Sequence, residues 1–196
     1  MDTNIEGVVY VPSPVRYLQH GSPHAQLIGG LIQYAAHTPG VGVADNMSVR
    51  LDLDNEPQPD ALLRIDPACG GQSRRSADDC IEGAPELVAE VASSAVSDDL
   101  HAKLHVYRRN GVREYVIWRV LNREIDWFVL RAGQYERLPF EANGLLRSEV
   151  FAGLWLDPAA LVQGNLARVL AVVQQGIASP AHATFVARLQ PRAATP

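Results

Sequence analysis

Two carboxylates and one ammonium group stand in this chain where a globular fold has little structural use for them. Asp60 follows Pro59 at the start of the apolar run "DALLRID", Glu90 lies inside "ELVAEVAS", and Lys103 comes thirteen residues later in "DLHAKLHVYRRNG". Strand positions disfavour Asp and Glu, so a mid-strand carboxylate asks for a reason. Lys103 is the single lysine among seventeen basic residues, the other sixteen being arginine. A chain that writes its generic cations as Arg keeps a Lys where a compact ammonium charge is needed. Two carboxylates and a lysine are what metal-assisted phosphodiester cleavage requires. Mg²⁺ takes carboxylate, carbonyl and water oxygens, polarises a phosphate and makes bound water a better nucleophile. The ammonium group orients that water or stabilises charge developing on the phosphorane. Lys103 as outright general base fits less well, because neighbouring carboxylates favour its charged form.

Each residue also has a plainer reading. A solvent-facing strand position would account for Glu90, and a turn for Asp60. Lys103 would pair with Asp99, four residues earlier, in an exposed helical ion pair with a snorkelling stem, worth only a few tenths of a kcal/mol.

The elements that must position these groups follow from periodicity. "PHAQLIGGLIQYAAHTPG" sets Leu27, Ile28, Leu31, Ile32 and Ala35 at helical spacing and ends at Pro39 and Gly40. "MSVRLDLD" alternates as a half-buried strand does, and "DALLRID" is a second short strand. The segment from Pro67 to Pro85 lacks periodicity and reads as a long loop, which needs a functional reason. In "ELVAEVA" alternation puts Glu86, Val88, Glu90 and Ala92 on one face and Leu87, Ala89 and Val91 on the other. A Ser-rich turn leads to a helix from about Asp98 to Asn110, with Gly111 in the C-terminal glycine position. On that helix Leu100, Leu104 and Tyr107 make one apolar stripe, and Lys103 sits roughly 60° from its centre, at the core-facing edge. "VREYVIWRVLNREIDWFVLRAGQYERL" supplies aromatic and β-branched strands turning at "LNRE" and "RAGQ". "NLARVLAVVQQG" and "SPAHATFVARL" are helices, the second capped by Ser179 ahead of Pro180, and "QPRAATP" is expected to be a disordered tail. The order of elements predicts a mixed α/β, or α+β, domain around a central sheet. We divide the chain into a core at 1–157 and a C-terminal helical extension at 158–196.

Composition bounds the function classes. With 196 residues, 47% hydrophobic and 20% charged, the chain is long enough to bury one core. It has no run of ~18 apolar residues for a membrane span and no signal-peptide pattern at "MDTNIEGVVY", so a soluble, cytoplasmic protein is expected. Cys69 and Cys80 fit neither a zinc pair nor a disulfide framework. The net charge of −5 exerts no overall pull on nucleic acid, yet residues 41–99 carry thirteen acidic against four basic residues and 103–137 carry eight basic against four acidic. That asymmetry suits a metal site beside a phosphate-binding face, and suits segregated surface charge equally well.

Taken together, "PD" at 59–60, "GAPELVAEVASS" at 83–94 and "DLHAKLHVYRRNGVREYVIW" at 99–118 resemble the Uma-two family, a group of predicted bacterial endonucleases in the restriction-endonuclease-like superfamily with its PD-(D/E)xK signature. "HAQLIGGLI" and "RSEVFAGLWLD" extend the similarity over most of the chain. The resemblance implies a central mixed sheet flanked by helices, and a Mg²⁺ site, with Mn²⁺ as a substitute. It implies Asp60 and Glu90 as metal ligands, assisted by the backbone carbonyl of Val91. The signature lysine would fall at Ala92; in this family it looks migrated to the following helix, which makes Lys103 the catalytic lysine with Asp99 and Tyr107 in support. His24 begins the first helix at a position the family favours, where a capping role is an equal alternative to an active-site one. The turn "SSAVS" departs from the pattern: it lacks a proline that many members carry and looks one residue short.

The expected activity is metal-dependent cleavage of double-stranded DNA by a homodimer, since two-fold symmetry is the simplest way to cut both strands. Trp127 and Phe128, on opposite faces of one strand, would leave an aromatic for the partner. The competing reading is a catalytically inactive accessory or DNA-binding module on the same fold. His101 and His105 have i, i+4 spacing but lack the glutamate of a zinc-protease motif and are read as surface residues. Arg74 and Arg75, in "CGGQSRR", follow no phosphate-loop spacing.

Overall fold

The computed structural model describes residues 3–10, 16–93 and 98–189, without the side chains of 3, 8–10, 98 and 99. The centre of the Ser-rich turn after Glu90 (94–97) and the expected tail (190–196) lie outside the described residues.

A hairpin of β1 (Thr3–Ile5) and β2 (Val8–Tyr10) precedes a five-residue π-helical turn, Tyr17–Gly21, which runs straight into α1 (Ser22–Ala36). Then come β3 (Val41–Asp45), β4 (Val49–Arg50), β5 (Ala61–Ile65), β6 (Arg74–Arg75), β7 (Ile81–Glu82) and β8 (Leu87–Ala92). Helix α2 (Asp98–Arg109) follows, then β9 (Glu114–Arg119), β10 (Glu124–Arg131), β11 (Gln134–Arg137), β12 (Leu146–Arg147) and β13 (Trp155–Leu156). Helices α3 (Pro158–Val162), α4 (Leu166–Ile177) and α5 (Pro180–Arg188) close the described chain. The end of α2 obeys its glycine: Gly111 has φ +82°, which lets Val112 N–H return to Tyr107 O at 3.0 Å.

Six strands form the central mixed sheet in the order β11-β10-β9-β8-β5-β3. Its one parallel pair is β8 with β9, joined through α2; the other neighbours are antiparallel. One face, through Leu87, Ala89 and Val91, packs against Leu27 and Leu31 of α1 and Val169 and Val173 of α4. The opposite face, through Val88 and Ala92, packs under Leu100, Leu104 and Tyr107 of α2. Glu90 belongs to that second face, so it lies beneath a helix and not against solvent.

The structure moves some of the expected elements. Strand β3 replaces the long strand expected at "MSVRLDLD"; its interior Gly42 removes most of the strand signal from "VGVAD". Only Val49 and Arg50 of the expected strand pair with a neighbour, β7. Beyond them Asp52 Oδ1 accepts from Asp54 N at 2.9 Å and Asn55 Nδ2 at 2.7 Å, a local turn that competes with the ladder. The expected loop contains β6 and β7, which with β4 make a small three-stranded sheet. On α1 the buried face is turned toward Tyr34, whose hydroxyl donates to Ala152 O at 2.9 Å, leaving Ile32 half exposed.

Glu86, expected to share a face with Glu90, has a structural role. It is fully buried, and its carboxylate accepts from Ile65 N at 2.7 Å and Gln72 N at 2.9 Å, closing the end of β5 and the start of the following loop. Glu86→Gln turns one acceptor oxygen into a donor facing an N–H, which should cost ~2–3 kcal/mol. Denaturant unfolding is expected to show this shift, with residual activity that tracks the folded fraction.

The basic segment is largely self-neutralised. Arg109 pairs with Glu6 and Asp52, Arg119 with Glu124 and Asp126, Arg131 with Glu136 and Glu149, and Arg137 with Asp126. Arg74 and Arg75 are likewise turned to Glu82 and Asp79. Most of these pairs form within one segment, and Arg109–Asp52 is the cited pair that joins the acidic segment to the basic one.

Candidate functional site

Asp60 precedes β5, whose register with β8 pairs Ala61 with Ala89. One further step along this antiparallel register sets Asp60 opposite Glu90, bringing the two carboxylates to one edge of the same face. Asp60 is 9% exposed and Glu90 5%. The Asp60 carboxylate is fixed by the strand it abuts, with Val91 N donating to Oδ2 at 2.6 Å.

Glu90 is held from above by α2. Lys103 Nζ donates to Oε2 at 3.1 Å and the Tyr107 hydroxyl to Oε1 at 2.9 Å. These donors are four residues apart, hence on one helix face, and Lys103 itself is 9% exposed. An exposed position for Lys103 is thereby excluded: its ammonium lies in the sheet–helix interface. Burial pushes the Glu90 carboxyl up to about 7, against the opposing pull of Lys103 and with a further push from the Asp60 charge.

Two histidines cover the Asp60 side. His20, on the π-helical turn, places Nδ1 2.9 Å from Val91 O and Nε2 3.3 Å from Asp60 Oδ1. The bond to Asp60 raises the His20 pKa above its ordinary value, with burial opposing. His24, in the first turn of α1, places Nε2 2.7 Å from Asp60 O and 3.1 Å from Asp45 Oδ1. Ligand atoms of His20, His24 and Asp60 lie within 4.8 Å of one another, a spacing that admits a metal ion.

The structure thus gathers Asp60, Glu90, Val91, Lys103, Tyr107 and His24 in one place, while the side chain of Asp99 lies outside the described residues. His101 and His105 are exposed, and both cysteines are free thiols. Sequence reasoning did not pick out His20 or Asp45. The i, i+4 spacing of "HGSPH" was the available signal for His20, but it straddles a serine–proline pair that reads as a helix start. Asp45 ends a strand that glycine concealed.

A donor set of two carboxylates and a main-chain carbonyl fits a hard divalent cation. An ionised carboxylate has about four acceptor positions, so Glu90 can keep its bonds to Lys103 and Tyr107 and still face an ion.

The fold is a mixed α+β domain with a central mixed sheet flanked by helices. The chain matches the family model described as "Uma2: Putative restriction endonuclease" over residues 3–159, and it belongs to that family. A solved structure described as a "putative nuclease belonging to DUF820 from Anabaena variabilis ATCC 29413" superposes with a TM-score of 0.63 at 14% identity, covering 82% of this chain and 90% of that one. That likeness establishes the shared fold. No curated protein sequence matches the chain. No described helix is long and apolar enough to cross a membrane.

Proposed function

We propose that this protein is a divalent-metal-dependent endonuclease that hydrolyses phosphodiester bonds in double-stranded DNA. The observation that carries the reading is the buried Glu90–Lys103–Tyr107 cluster beside Asp60. A buried ion pair is a poor source of stability compared with apolar packing, and Val88 and Ala92, its neighbours on the same strand face, show that apolar side chains pack beneath α2. A carboxyl raised by burial and paired with an ammonium group, as Glu90 is, marks a functional-site candidate. The family description and the nuclease-like neighbour point to the same chemistry.

In this reading Asp60 and Glu90 hold Mg²⁺ or Mn²⁺, with the Val91 carbonyl as a third oxygen on the same edge. The ion, when bound, polarises the phosphate and lowers the pKa of water. Val91 N fixes the Asp60 carboxylate, and Tyr107 fixes Glu90. Lys103, paired with Glu90 Oε2, directs an ammonium group at the attacking water and at charge accumulating on the phosphate. His24 ties α1 to the strand end through Asp60 O and Asp45, which holds the site's wall in place.

A homodimer, cytoplasmic location and duplex specificity belong to the same proposal. The dimer rests on the symmetry of double-strand cleavage, because neither aromatic of β10 is free for a partner. Trp127 lies in the main core, and Phe128 stacks near Tyr135 (6.1 Å) under the Arg137 guanidinium (5.8 Å).

Calorimetric titration with Mg²⁺ and Mn²⁺, run beside cleavage of supercoiled plasmid, tests the assignment. Saturable binding and metal-dependent nicking or linearisation, abolished by chelation, are expected. A protein that shifts DNA mobility yet binds neither ion would be the inactive DNA-binding module instead.

A further inference from the structure

His20 is not used by the carboxylate–lysine chemistry, yet its ring faces both the Asp60 carboxylate and the Val91 carbonyl. Its two ring nitrogens face different partners. Nδ1 lies 2.9 Å from Val91 O, and a carbonyl oxygen only accepts, so Nδ1 carries a hydrogen. In the neutral ring that leaves Nε2 with a lone pair, 3.3 Å from the lone pairs of Asp60 Oδ1. Two acceptors at that separation repel unless a cation lies between them: a proton or a metal ion. A ring whose one nitrogen donates to a backbone carbonyl while the other points at a carboxylate has the arrangement of a metal-ligating histidine with its orienting hydrogen bond.

The spacing fits as well. Adjacent ligands at ~2.1 Å from one ion and ~90° apart stand about 3 Å from each other, close to the His20–Asp60 separation. The His20 and Asp60 side chains are 25% and 13% exposed, which leaves the pair within reach of solvent ions. His24 is a weaker ligand candidate, because its Nε2 already faces both Asp60 O and Asp45 Oδ1. The π-helical turn makes the arrangement available: it carries His20 onto the end of β8, ahead of α1.

We propose that His20 Nε2 is a direct ligand of the ion held at the Asp60 carboxylate, which makes this a mixed nitrogen–oxygen site that prefers Mn²⁺ and later transition ions to Mg²⁺. The inference rests on the two-carboxylate site proposed above. It gives Val91 O a different part, orienting the imidazole instead of touching the ion. An imidazole donor favours transition ions, whereas Mg²⁺ favours oxygen and retained water.

The test uses Mn²⁺ itself as the probe. Pulsed electron paramagnetic resonance of the Mn²⁺-loaded full chain should show coupling to a single imidazole ¹⁴N, and this coupling should vanish in His20→Gln. By calorimetry His20→Gln should weaken Mn²⁺ binding by about tenfold or more and Mg²⁺ binding by less than about threefold. A circular-dichroism melt checks that the variant is folded, and a wild-type spectrum without nitrogen coupling counts against His20 even if it is not. Wild-type Mn²⁺ without nitrogen coupling, or equal losses for both ions in His20→Gln, overturns the His20 ligand while leaving the two-carboxylate site intact. Binding with nitrogen coupling that is indifferent to Glu90→Gln keeps His20 as a ligand and removes Glu90. A wild-type chain that binds neither ion overturns both.

Discussion

Lys103→Arg is expected to fold, to bind the divalent ion through Asp60 and Glu90, and to cleave DNA at least ~100-fold more slowly than the wild type. Both side chains are cations, so charge is conserved and the effect isolates geometry. The lysine ammonium is a compact donor on a flexible stem; the guanidinium is a wide planar fork. In the pocket between β8 and α2, where Lys103 reaches Glu90 Oε2 at 3.1 Å, the fork displaces the water and carries the charge about an ångström away, an error of the size that misalignment penalties describe. From the sequence a surface-bordering lysine would cost under ~1 kcal/mol on substitution. Its burial raises that expectation to ~1–3 kcal/mol, the range for inserting extra volume into a packed site. Single-turnover cleavage measured below the melting range separates the two effects. Full activity in the arginine variant would reduce the lone lysine to an accident of composition.

Glu90→Gln should abolish measurable Mg²⁺ and Mn²⁺ binding and lower cleavage by ~100-fold or more, while changing how stability depends on pH. The folded-state pKa of Glu90 is raised from 4.5 to about 7, chiefly by burial. A carboxyl with a raised folded pKa binds its proton more tightly in the native state. The stability linked to that proton is fully present below 4.5 and is lost as pH rises through 7. Glutamine has no such proton. The stability difference between variant and wild type, without metal, should therefore drift in favour of the variant by up to ~3 kcal/mol between pH 4.5 and 7, and flatten above. Urea unfolding at a series of pH values in the presence of chelator measures it. A pH-independent difference would mean that Glu90 ionises as an exposed carboxylate does, contrary to its place beneath α2. Divalent ion added at pH 8 should stabilise the wild type and leave the variant unchanged.

The legible part of this molecule was the part with local signals. Alternation in "ELVAEVAS" and helical spacing through Leu100, Leu104 and Tyr107 fixed which faces meet, and that was enough to bring Glu90 and Lys103 together. Pro59 ahead of an apolar run marked the Asp60 strand start. What could not be read was set by non-local geometry. His20 reaches the site through a π-helical turn with no compositional signature, and its partner Val91 is seventy-one residues away in sequence. The arginines of 103–137 looked like a phosphate-binding run because a charge count along the chain does not show which of them cross-strand neighbours such as Glu124, Asp126 and Glu136 neutralise. Glu86 and Glu90 belong to the same apolar run with identical chemistry. One closes a chain turn and the other faces an ammonium group, a difference that depends on which backbone N–H groups lie opposite.

The helices beyond the family match alter what counts as a folding unit. The match ends at residue 159, whereas Leu161, Val169, Val173, Phe185 and Leu189 share the main core with Leu87 and Ala89 of the central sheet. On α4, Gly176 lies so near Gly153 that an added Cβ would stand 2.1 Å from the Gly153 oxygen, a contact that only bare backbone permits. The apolar wall behind β8 is thus shared between α1, inside the matched stretch, and α4 and α5, beyond it. Removing the C-terminal helices would therefore uncover part of the core that they share with the sheet carrying Glu90.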